Sequence, residues 1–288
     1  MKKSALNTMA LLALLIVMVT DSCKKSDNGT PTSKYAVSLA TSVSMGQYLV
    51  DKKGYTLYFF AEDYNGKASC TGSCEASWPY FYTGPITQAD LGTGLKIADF
   101  DTINSHGKTQ SRYKGWPLYY FAPNGTALES PGQISGEGIL DWFVAKPDYT
   151  IMLAVGQMVG GNGKNYLSNY TEGIGNTTYF TDAHGVTLYT FTSDSANINK
   201  FTKPDFSNNA SWSIYDTTAI VVPSVLDKAQ FSSFSLYGKH QLSYKGWPLY
   251  YYGGDNKTQG LTKGITVGTI PGSKWPVAVQ GMTAAPHK

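Results

Sequence analysis

In the stretch Leu57-Tyr58-Phe59-Phe60 a period of two puts Leu57 and Phe59 on one face and Tyr58 and Phe60 on the other. Both faces are apolar or amphipathic, which predicts a central strand covered on both sides. Aromatic and β-branched residues suit such a surface. Turn formers separate these runs. Asp51-Lys52-Lys53-Gly54 lies between Tyr48-Leu49-Val50 and Thr56–Phe60, and Asp182-Ala183-His184-Gly185 between Tyr179-Phe180-Thr181 and Thr187–Phe191, so each predicts a hairpin. Residues 100–113 predict another, turning at Ser105–Lys108. Pro117 and Pro248 stand where their strands begin, and a missing N–H does least harm there. Only Thr150–Val159 hints at a helical period, and it ends in Gly160-Gly161. The pattern is that of an all-β protein.

The pattern also recurs. Tyr-Lys-Gly-Trp-Pro-Leu-Tyr-Tyr fills residues 113–120 and, letter for letter, residues 244–251. The same offset matches Tyr48 with Tyr179, Asp51 with Asp182, Gly54 with Gly185, Asp63 with Asp194 and Gln110 with Gln241. The chain is a tandem duplication. Inside each half lies a finer repeat, because the segments starting at Gly54, Gly115, Gly185 and Gly246 all read Gly, apolar, Thr or Pro, Leu, Tyr, any, aromatic. We therefore expect two homologous β domains, each built from two related strand-hairpin units, with one closed four-unit array such as a small propeller as the alternative.

The chain of 288 residues opens with Lys2-Lys3, an apolar run from about Ala5 to Val19, and Cys23. That run is too short to span a bilayer and reads as a secretory signal. A cysteine just after it resembles the lipidated first residue of a bacterial lipoprotein, in the relaxed form found in Bacteroidota. Polar residues 24–36 read as a flexible tether. The organisation predicted is a signal peptide over 1–22 and a lipidated Cys23 with its tether over 23–40. Repeat domains follow over 41–148 and 178–282, with a linker or accessory strands over 149–177. The expected location is the cell envelope, lipid-anchored to the outer membrane, with surface display as one arrangement of that anchor.

A formal net charge of +3, smaller still without the leader, is too balanced to imply a nucleic-acid partner. Arg112 is the only arginine, so phosphate-centred chemistry drops down the list. Cys70 and Cys74 are an even, closely spaced pair in an exported chain, which predicts a disulfide. It closes only if Thr71-Gly72-Ser73 turns.

These residues resemble a bacterial family of secreted-repeat lipoproteins of unknown function, marked by a Tyr-x-aromatic-x-x-Asp motif. The motif stands here as Tyr58-x-Phe60-x-x-Asp63 and Tyr189-x-Phe191-x-x-Asp194. The family's cysteine segment is matched by Cys70, Gly72, Cys74, Trp78 and Pro79, and its Gly-x-Pro-Leu-Tyr segment at 115–119 and 246–250. The second half lacks the cysteines. The resemblance implies an exported β protein and brings no reaction with it.

Candidate chemistry is sparse in the sequence. Cys70 and Cys74 would be half of a zinc site, but no histidine lies close to them, and Glu75 stands where a c-type haem needs His. Asp63 and Asp194 end aromatic strands and are expected to accept N–H bonds within their own turns. No nucleophile or phosphate-loop motif is present. His106, His184 and His240 fall at unmatched positions in or beside turns. Most aromatics are expected in the core. Trp116, Tyr119, Trp247 and Tyr250 are the candidates for ligand-stacking faces. The expectation is a non-enzymatic module for a glycan or envelope protein, held on the membrane through Cys23, with no metal or cofactor. The alternative is an accessory redox or metal-handling lipoprotein using Cys70 and Cys74.

Overall fold

The computed structural model describes residues 33–287. The leader, Cys23 and most of the tether lie outside the described residues. In the first half the strands are β1 (Val37–Ser42), β2 (Gly46–Asp51), β3 (Tyr58–Phe60), β4 (Phe100–Ser105), β5 (Lys108–Tyr113), β6 (Trp116–Pro117) and β7 (Trp142–Val144). In the second they are β8 (Met152–Val159), β9 (Asn165–Tyr166), β10 (Asn176–Thr181), β11 (Trp212–Ile214), β12 (Phe231–Leu236), β13 (Lys239–Tyr244), β14 (Trp247–Pro248) and β15 (Tyr250–Tyr252). They form small antiparallel sheets: β1-β2, β3-β7 and β4-β5-β6, then β10-β8-β9, β11-β15 and β12-β13-β14. The fold is all-β. It is not a closed barrel or propeller, so the four-unit closed array is set aside.

The predicted turn at Ser105–Lys108 forms as its residues require, and a second of the same kind follows it. In β4-β5, Ser105 faces Lys108 across His106 and Gly107, and in β5-β6, Tyr113 faces Trp116 across Lys114 and Gly115. All four turn residues have positive φ, between 50° and 85°. That is the geometry whose twist matches a hairpin, and glycine takes the second position at no steric cost. The second half repeats both turns at Tyr237-Gly238 and Lys245-Gly246.

What holds the strands together is a ring of three backbone hydrogen bonds, made once in each of the four units. Leu49 N–H donates to Ala145, Ala145 to Leu57 and Leu57 back to Leu49, at 2.8, 2.8 and 3.0 Å. Phe81, Leu118 and Ser111 close a second ring in the same sense, each bond 2.9 Å. In the second half Phe180, Ala278 and Leu188 close the third, and Tyr215, Leu249 and Leu242 the fourth. Three short strands meet at each ring with both polar groups of every residue paired, which is why such brief strands are stable in the interior. Eleven of these twelve residues are buried, Tyr215 being half-buried.

Residues 149–177, expected as a linker or accessory strands, hold strands: β8 pairs with β10, Met152 facing Thr181, as β1 pairs with β2, Val37 facing Asp51. The second repeat therefore begins with β8, and Thr150–Val159 holds a strand, not a helix. Five of the eight residues of β8 are buried, and they fall on both faces, so the apolar run reflects cover on both faces and not helical period. The two halves share a core. One hydrophobic cluster runs through both, holding Phe59, Trp116 and Met152 together with Tyr189, Trp212 and Trp275. Gly156 of β8 lies against the Tyr64 ring so closely that a Cβ would stand 2.2 Å from it.

Candidate functional site

Trp116, Tyr119 and Tyr250 are wholly buried, and Trp247 is half-buried. The expectation of exposed platforms is thus corrected for three of the four, because their strands are covered on both faces. Phe59 packs 6.1 Å from Trp116, and Tyr80 and Trp142 meet Tyr119 edge-on. The verbatim octapeptide keeps its rings for the core.

Its tyrosines do something the sequence reading missed. Tyr119 Oη donates to Asp63 at 2.6 Å, and Tyr250 Oη to Asp194 at 2.7 Å. Each acid also takes the predicted turn bond, Asp63 from Ser69 N–H and Asp194 from Lys200 N–H, both 2.7 Å. The cross-bonds run the other way too. Tyr58 Oη donates to Glu129 and Tyr189 Oη to Asp255, both at 2.5 Å. The motif tyrosine of each unit therefore binds the acid of its sister unit, and the backbones of the two tyrosines pair between them, Tyr58 with Tyr119 and Tyr189 with Tyr250. The signal was legible: Tyr250-x-Tyr252-x-x-Asp255 is a third copy of the motif. The fourth has Asn124 where the acid belongs, and Glu129 reaches in from the following loop.

The third motif position closes a stack of four rings. In the first half the order is Phe60, Trp142, Trp78, Phe121, with centroids 4.1, 3.9 and 4.4 Å apart. In the second it is Phe191, Trp275, Trp212, Tyr252, at 4.4, 3.7 and 4.6 Å. Burial pushes the Asp63 carboxyl up to about 7, against the pull of its Tyr119 and Ser69 donors. It pushes Asp194 and Asp255 up to about 6, again opposed by their hydrogen bonds. The phenols of Tyr58, Tyr119 and Tyr250 are raised, chiefly by burial and further by the acids beside them. These groups are a satisfied interior network, closed to a substrate.

The surface features lie elsewhere. Cys70 and Cys74 form the disulfide at the start of a short helix, α1 (Ser73–Ser77), with Cα atoms 5.4 Å apart. Cys70 is buried and Cys74 half-buried. Among the described residues no group of three or more His, Cys, Asp or Glu side chains could hold a metal ion. The octapeptide reaches the surface at its Lys-Gly turn, and a cleft opens there in both repeats. Beside Lys114-Gly115 it is about 220 Å³, lies between the repeats, and is lined by Asp99, Phe100, Asp101, His184, Lys257 and Gln259. Asp101 is bound by Arg112, at 2.7 Å through Nε and 2.5 Å through a terminal nitrogen. Beside Lys245-Gly246 the cleft is about 510 Å³, lined by Ala196, Asn197, Gln230 and the last described residues.

No described helix is long and apolar enough to cross a membrane. No curated protein and no solved structure matches the chain. The stretch that carries Tyr58, Phe60, Asp63, Cys70, Cys74 and Trp78, residues 40–81, matches the model of a family described as a secreted repeat of unknown function.

Proposed function

We propose that this protein is a cell-envelope lipoprotein, anchored through Cys23, that works as a non-catalytic binding module and takes a saccharide in the cleft between its repeats. The observation that carries the reading is the make-up of that cleft. Asp99, Asp101, Lys257 and Gln259 line it together with Phe100, whose ring packs against Tyr113. Carboxylate and amide groups suit sugar hydroxyls, and an aromatic ring suits the apolar face of a pyranose. A position between two units of one chain is a common place for a ligand.

Screening the detergent-solubilised protein on a glycan array, then measuring each hit by calorimetry, tests this. A saccharide whose affinity drops at least about tenfold with Asp99→Ala, a loss of about 1.4 kcal/mol, supports the cleft. An array without hits, or hits indifferent to both Asp99→Ala and Lys257→Ala, rejects it. The redox reading has less support, since Cys70 is buried and the second repeat has no counterpart. A stoichiometric metal or a visible absorbance band in the protein purified without chelator would revive it.

A further inference from the structure

The two copies of the octapeptide are covered differently. In both, the lysine ammonium binds a carbonyl five residues beyond the stacked tryptophan of its own repeat: Lys114 to Pro147 at 2.7 Å, Lys245 to Gln280 at 3.0 Å. In both, the indole N–H binds a carbonyl from outside the unit. For Trp116 the acceptor is Ala183, in the Asp182–Gly185 turn of the second repeat, at 3.2 Å. For Trp247 the acceptor is Thr283, in the segment that follows the second repeat's own strands, at 2.8 Å. Segment 283–287 takes the place that a whole domain takes on the first copy.

Backbone groups hold that segment. Besides the Thr283 carbonyl, Ala285 N–H donates to Lys245 at 2.9 Å, and the Pro286 carbonyl accepts from Ala196 N–H at 2.9 Å. Only Ala285 is buried; its neighbours Thr283, Ala284, Pro286 and His287 are exposed. A Cβ on Gly246 would stand 3.4 Å from that of Ala285, so the seat is sized for a small side chain. The cleft of about 510 Å³ stays open beside the segment, bordered by Gln230, Asn197 and Lys245. Main-chain bonds with one small-residue pocket are how a groove recognises an extended peptide.

We propose that this face of the second repeat, built from Ala196–Asn197 and Lys245–Trp247, is a docking groove for an extended peptide of a partner protein with a small residue at its centre. Segment 283–287 is its resident occupant and leaves when the partner's peptide enters. A tethered occupant competes at high effective concentration, so the intact chain holds the groove shut against weak ligands. This inference goes beyond the saccharide cleft, which lies at the other octapeptide, and does not depend on it.

The probe is a fluorescently labelled peptide carrying the sequence of residues 281–287, followed by anisotropy against the full chain. Ala285→Arg unseats the segment, and this is checked by loss of hydrogen-exchange protection at the residue 285 amide. The variant is expected to bind the peptide at least about tenfold more tightly than the wild-type chain. A peptide with Arg at its central Ala is expected not to bind. No binding to the unseated variant, equal binding of the two peptides, or an amide at 285 that stays protected in Ala285→Arg would each overturn the proposal. If Ala285→Arg does not fold, a chain ending at Met282 gives the same readout.

Discussion

The two repeats share an interior and differ at the surface. Both contain two backbone rings, two crossed Tyr–acid bonds and a four-ring stack at nearly equal distances, and at equivalent residues except that Glu129 stands in for the acid missing at Asn124. Yet only the first has the disulfide, Asp99 and Asp101 of the first are Gln230 and Ser232 in the second, and Trp116 is sealed where Trp247 is half-open. The comparison teaches that the verbatim octapeptide answers to a shared interior requirement. The two surfaces around it have diverged, which is where we place ligand choice.

The largest effects should come from the stack, and they should be equal. Trp142→Ala and Trp275→Ala each remove a ring sandwiched on both sides, and each is expected to destabilise by about 3–5 kcal/mol in chemical denaturation. A loss in one repeat twice that in the other would break the equivalence of the two interiors. Next come the crossed bonds. Asp63→Ala leaves the Tyr119 phenol and Ser69 N–H without a buried acceptor and is expected to cost about 3 kcal/mol. Asp194→Ala should cost a similar amount, since Tyr250 and the Lys200 N–H lose theirs.

The same acids give a pH dependence of definite sign. Their folded-state values, about 7 for Asp63 and about 6 for Asp194 and Asp255, lie above the unfolded value of 3.8. The folded protein therefore binds these protons more tightly, and their contribution is fully present below the unfolded value and fades as pH rises through 6 to 7. Midpoint denaturant concentration is expected to fall between pH 4 and 7, and Asp63→Asn should flatten the upper part of that fall. A midpoint that rises across this range would show that the hydrogen bonds outweigh burial. Smaller again is the disulfide. Reduction, or Cys74→Ser, opens a loop of only a few residues and is expected to lower stability by about 2 kcal/mol. Protection against hydrogen exchange should weaken around α1 while the second repeat is untouched. The smallest effect separates the two indoles. Trp116→Phe loses an interior bond and should cost about 1 kcal/mol, whereas Trp247→Phe, facing an exposed segment, should cost less.

Much of this architecture can be read from the letters. Period-two aromatic runs, Lys-Gly and His-Gly turns and the matched offsets give strands, hairpins and four related units, because side-chain alternation and positive-φ positions are local constraints. The Cys70–Cys74 bridge is local as well, five residues closing on a glycine turn. Other features escaped. β8 does the work of β1 although Met152–Val159 shares almost no letters with Val37–Ser42, since an interior strand needs only apolar cover and backbone partners. The crossed acid pairs escaped because Tyr58 and Glu129 lie far apart in the chain, and only folding brings sister units face to face.

The sequence by itself thus determined the fold class, the duplication and its finer fourfold pattern, the turns and the cysteine pair. Only the tertiary structure decided that Trp116, Tyr119 and Tyr250 are interior and that each motif acid serves its sister unit's tyrosine. It also decided that the octapeptide's two turns open onto unlike clefts. The physical reason is range: periodicity and turn chemistry act over a few residues, whereas burial depends on which distant surface arrives to cover a ring. For Trp116 that surface is the second repeat, and for Trp247 it is a five-residue segment held by two backbone bonds and one indole.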